Sequence, residues 1–115
     1  NEASVILCDT TINALTAPAG TTVIIGNDAN KEGDVTILGT AKVLGEMIME
    51  EEAVLWSKSA LTAGNFTLNG EYAEVRILTG KAFTIPKKIN KAFTVFYDIF
   101  NYVVLCFLKE YLFFN

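Results

Sequence analysis

Residues 74–88, EVRILTGKAFTIPKK, carry the pattern around which the chain is organised. Val75 and Ile77 alternate with Glu74 and Arg76, the two-residue period of a strand with one face buried. Beyond Gly80 the apolar positions resume at Phe83 and Ile85, and Pro86 stops the ladder because it has no N–H to donate. Leu78 breaks the alternation just before the glycine, which predicts a bend or bulge where the side-chain register resets. The expected unit is strand, glycine, strand, proline, with the rest of the chain packed around it.

Upstream, residues 4–8, 11–16, 21–26, 34–39 and 42–45 read as short strands. Residues 17–20 (APAG) read as a turn and residues 27–34 (NDANKEGD) as a polar loop. Glycines at 20, 26, 33, 39, 45, 64, 70 and 80 leave pieces too short for ordinary helices. The pattern predicts an all-β fold, a small barrel or sandwich of short antiparallel strands. A few β-helix coils would be punctuated similarly, but no strict internal period marks them. Residues 46–61 are ambiguous. Leu44, Met47, Ile48 and Leu55 share a helical face with Glu51, whereas residues 53–57 alternate as a strand. Asn69-Gly70, between residues 65–68 and 72–78, is the strongest hairpin signal in the chain.

Residues 92–115 differ in kind. Phe93, Phe96, Phe100, Val103, Phe107 and Tyr111 recur at helical spacing, yet the residue types are strand formers, so helix and strand both stay open. The uncharged run 99–108 is shorter than the roughly twenty residues a bilayer helix needs, and no membrane partner is expected. The organisation read from the sequence is a β domain over 1–91 and an aromatic segment over 92–115. That segment is expected to pack on the core or on a neighbouring subunit.

With 115 residues there is room for one core. A net charge of −4 argues against a nucleic-acid partner, and the absence of histidine removes the commonest general base and every Ser–His or Cys–His dyad. Cys8 and Cys106 either pair or stand as two buried thiols; their apolar surroundings favour thiols. Asp28, Asn30, Glu32 and Asp34 are spaced like the first half of a calcium loop, but Gly39 stands where a bidentate glutamate is needed. Glu46, Glu50, Glu51 and Glu52 form an acidic cluster that reads as a solvated face rather than a catalytic pair. Trp56 and Tyr72 could form a stacking platform for a sugar, but in a small domain core or subunit contact is the commoner fate of aromatics. Lys81, Lys87, Lys88 and Lys91 make a modest basic patch, and Asn65-Phe66-Thr67 fits a glycosylation sequon. No catalytic centre and no cofactor is expected.

The order LTAPAG (15–20), VIIGN (23–27), EVRILTGKAFTIPK (74–87) and VFYDIFN (95–101) resembles the small β-rich decoration, or cement, proteins of tailed-phage capsids. In that family an apolar strand ends in a similar Ala-Pro-Ala-Gly turn and a Val-Ile-Gly strand follows. Later come a Val-rich strand, Gly-x-Phe-x-Leu-Pro-Lys, and a Val-Tyr-Trp-Asp segment. The resemblance touches about a third of the chain. It implies a compact β-barrel or sandwich that trimerises on the major capsid protein at the virion surface and stabilises the shell mechanically. The alternative is an extracellular or cell-surface module that forms fibres or binds glycan. The residues expected to carry the work are interfacial. Phe83, Ile85 and Pro86 shape the central turn, while Phe96, Tyr97, Phe100, Phe107 and Tyr111 lie in the core or a subunit joint.

Overall fold

The computed structural model describes residues 3–26, 32–70, 72–85, 88–90, 97–99 and 101–105. There the chain forms thirteen strands and no helix. In order they are β1 (Ala3–Leu7), β2 (Thr10–Ile12), β3 (Leu15–Ala17), β4 (Thr21–Ile25), β5 (Glu32–Ile37), β6 (Ala41–Met49) and β7 (Glu52–Ser57). They continue with β8 (Leu61–Leu68), β9 (Glu74–Leu78), β10 (Phe83–Thr84), β11 (Lys88–Asn90), β12 (Tyr97–Ile99) and β13 (Tyr102–Leu105). Sheet 1 runs β1-β4-β6-β8-β10, with β3 beside β6 and β11 beside β8; sheet 2 runs β12-β13-β9-β7-β5-β2. From β1 to β11 every pairing is parallel.

The chain crosses from one sheet to the other and returns one strand further along, so it winds as a parallel β-solenoid. In sheet 1 Ala41 faces Leu61 and Leu61 faces Phe83, steps of 20 and 22 residues. In sheet 2 Val35, Leu55 and Val75 follow one another at steps of 20. The expected antiparallel barrel or sandwich is thereby corrected. Alternation tells which face of a strand is buried, and it is the same whichever way the neighbour runs.

The Asn69-Gly70 step makes the correction concrete. Instead of closing a hairpin it carries the chain from β8 in sheet 1 to β9 in sheet 2. The Asn69 N–H donates to the Met49 carbonyl of the neighbouring coil at 2.8 Å. The turn at Gly80 leads back to sheet 1, its Lys81 N–H on the Leu78 carbonyl at 3.0 Å. Residues 46–49, ambiguous in sequence, belong to strand β6. Of residues 92–115, those described are strands: β13 pairs antiparallel with β9, and β12 with β13.

Parallel stacking in register places like on like. Val23, Met47 and Phe66 form one inward column; Ile25, Met49 and Leu68 a second; Val35, Leu55 and Val75 a third; all are fully buried. Each such side chain contributes about 1.5–3 kcal/mol by leaving water. Ser57 interrupts a fourth column between Ile37 and Ile77, and its Oγ donates to the Ser59 carbonyl at 2.8 Å, so the buried hydroxyl is satisfied.

Sheet 1 bends midway. Val43 opposes Ala63 and Glu46 opposes Asn65, so Leu44 and Gly45 together face Gly64, a two-against-one bulge. A Cβ on Gly45 would run into the Thr21 carbonyl oxygen and lie 2.9 Å from the Thr21 nitrogen. One on Gly64 would run into the Leu44 carbonyl oxygen and lie 2.6 Å from that of Gly45. At this bend adjacent coils meet backbone against backbone.

Candidate interaction surface

Inward positions are taken by the columns, so polar and aromatic groups on the alternate positions face outward. On the outer face of sheet 2, Trp56 and Arg76 are register partners. The Arg76 guanidinium lies 4.5 Å over the Trp56 ring, and Tyr102 meets that ring edge-on at 5.1 Å. Glu74 Oε1 accepts from Arg76 Nε at 2.7 Å and pairs with Nη2 at 2.6 Å. The Trp56 ring therefore has Arg76 stacked on it. Tyr72, 59% exposed, sits at the corner between β8 and β9. The Trp56 ring is thus engaged by Arg76 and Tyr102, while Tyr72 lines a hollow with Glu51 and Glu52.

Arg76→Ala should strip the cation from the indole. The expected results are a shift in Trp56 fluorescence and a loss of about 0.5–1 kcal/mol in urea unfolding. The ion pair with Glu74, its side chains 27% and 18% exposed, is lost at the same time and adds about 0.2–1 kcal/mol. Unchanged emission would show that the stacking is not held in solution.

Glu50, Glu51 and Glu52 gather about Asn69, and Glu46 stands apart. Glu46 lies on the outer face of sheet 1 and accepts from Thr67 Oγ1 at 3.3 Å. Glu50 is 9% exposed and accepts from Asn69 Nδ2 at 3.3 Å. Glu51 and Glu52 line a hollow of about 400 Å³ with Asn69, Gly70 and Tyr72. Of the calcium candidates, Glu32 and Asp34 lie on β5, while Asp28 and Asn30 are outside the described residues. The Asp34 N–H donates to Asp9 Oδ1 at 3.1 Å, tying β5 to the preceding coil. Among the described residues no group of three His, Cys, Asp or Glu side chains is placed to hold a metal. Cys8 Sγ donates to the Glu32 carbonyl at 3.6 Å; Cys106 is outside the described residues. In the basic patch Lys81 and Lys88 are described and Lys87 and Lys91 are not.

Phe83 and Ile85 are half-buried against the core, and the Phe83 ring stands edge-on to Phe66 at 5.4 Å. Tyr97 lies on β12. Pro86, Phe96, Phe100, Phe107 and Tyr111 are outside the described residues.

One surface was hidden from sequence reasoning. The buried columns run into the first coil and there become open to solvent. Val5, in register with Val23, is 43% exposed. Leu7, in register with Ile25, is only half-buried, as are Ile12 and Leu15, which continue the Ile37 and Ala41 columns. Among the described residues no strand lies beyond β1 and β2 at this end. In the sequence residues 4–8 are an apolar run much like that of β4, and nothing local tells that their inward side chains are less buried. A comparison with protein-family models, curated proteins and solved structures finds no match.

Proposed function

We propose that the chain is a structural module that works through its surfaces, associating with copies of itself as part of a larger assembly at a virion or cell surface. The observation that carries this reading is the apolar surface of the first described coil, where Val5 and Ile6 are 43% and 46% exposed. An exposed apolar patch marks a surface that associates, and beside Val5 and Ile6 the side chains of Leu7, Ile12 and Leu15 are only partly buried. The Trp56 face, with Arg76 stacked on it, favours association over sugar stacking. The phage-cement resemblance implies a barrel, so the proposal rests on the solenoid's own geometry. Sedimentation velocity over a range of concentrations tests it. A defined oligomer is expected, and a strict monomer at every concentration would remove the reading.

A further inference from the structure

We infer that two copies of the chain pack face to face across the outer surface of sheet 1, about a two-fold axis that runs along the stacking direction beside Leu44. This rests on the proposed self-association and names the face and the symmetry that deliver it.

Strand β6 crosses the middle of sheet 1, and its outward positions read Lys42, Leu44, Glu46. Leu44 is 45% exposed, while Val43 and Met47 on the same strand are fully buried. It stands on the bulge, and a hollow of about 180 Å³ lies against it, walled by Gly20, Thr22, Glu46 and Asn65. Lys42 is exposed and Glu46 half-buried, and among the described residues neither has an ion-pair partner. The exposed leucine is thus flanked, two residues to either side, by one free charge of each sign. Beyond Glu46 the same face carries Ile6, 46% exposed, in register with the half-buried Ile24 and Ile48.

Charge selects both the occupant and the axis. A two-fold axis along the stacking direction reverses the strands and keeps each coil opposite its equivalent. Lys42 then faces the partner's Glu46, Leu44 faces the partner's Leu44, and Glu46 faces the partner's Lys42. The face is complementary to itself. An axis along the strands would instead set lysine on lysine and glutamate on glutamate, and like charges oppose association. Nothing else in these rows interferes: Lys42 is in register with Thr16 and Thr62, and Glu46 with Thr22 and Asn65. The hollow beside Leu44 gives the partner's Leu44 a seat. Size is sufficient as well. Nine residues of β6, at about 3.3 Å each, and four stacked strands, at about 4.8 Å each, offer a footprint of roughly 600 Å² per partner. The two footprints together reach the lower range of specific interfaces, about 1,200 Å².

Sedimentation velocity over a range of concentrations compares the parent with Lys42→Glu, Glu46→Lys, the two combined and Leu44→Asp. Lys58→Glu, an exposed position just past β7 in sheet 2, is the control. Parent and control are expected to form the same dimer. Each single reversal sets like charges opposite one another, and with Leu44→Asp it should weaken the dimer at least roughly tenfold. The combined reversal should restore it, and so should mixing the two single variants, since both bring opposite charges together again. Circular dichroism establishes that the variants are folded, and rescue on mixing is a result that damaged folding does not give. An oligomer that ignores these substitutions, or a combined variant and a mixture as weak as the single variants, overturns this face while leaving self-association standing. Growth past the dimer overturns the two-fold arrangement. A parent chain that is monomeric at every concentration removes both readings and assigns the face to another occupant.

Discussion

Gly45→Ala and Gly64→Ala are each expected to cost more than about 3 kcal/mol, a large part of what holds a domain this size together. The reason is steric. At Gly45 the new methyl would run into the Thr21 carbonyl; at Gly64 it would run into that of Leu44. Neither neighbour is a side chain that could swing away, so the coils themselves would have to separate and lose their ladder hydrogen bonds. Gly20→Ala is the useful contrast. Gly20 has φ +89° but nothing within 4 Å of an added methyl, so its cost is that of the left-handed backbone alone, about 1–2 kcal/mol. Urea unfolding of the three variants orders them, with Gly20→Ala mildest. If Gly45→Ala unfolded at the parent's midpoint, the close backbone approach at the bend would be wrong.

Phe66→Ala should cost about 3–5 kcal/mol, and Phe83→Ala clearly less. Phe66 is fully buried, in register with Met47 on the coil before, so truncation leaves a hole that the rigid ladders on both sides cannot close. Phe83 touches Phe66 edge-on but is only half-buried. The sequence pattern singles out Phe83, in the GKAFTIP turn, as the more central aromatic. The solenoid transfers that place to Phe66, because β8 is paired in sheet 1 with β6 and with both β10 and β11. Thermal melts of the two variants settle the order, and equal losses would place both rings in one shared core.

The strands themselves were legible. Alternation in Val75–Ile77 and the β-branched run at Thr21–Ile25 identified β9 and β4, and the glycines marked where strands end. The repeat was not legible, because inward columns are regular while corners are not. Residues 50–51 link Met49 to Glu52, whereas residues 69–73 link Leu68 to Glu74. The bulge at Leu44 and Gly45 shifts the register once more. These unequal connections spread a 20-residue coil over steps from 18, Val5 to Val23, to 26, Leu15 to Ala41. No fixed period survives to be seen.

Local pattern by itself pointed to a mainly β fold and to which residues alternate, and the absence of histidine removed histidine-based chemistry. Those properties depend on side chains two residues apart. Tertiary structure alone decided that the strands run parallel, that Asn69-Gly70 turns a corner between sheets, and that Arg76 stacks on Trp56. It also decided that Val5, patterned like any core valine, is 43% exposed. Each of these depends on which distant strand lies alongside, a choice made by the burial of whole columns at once, and no short stretch of sequence contains it.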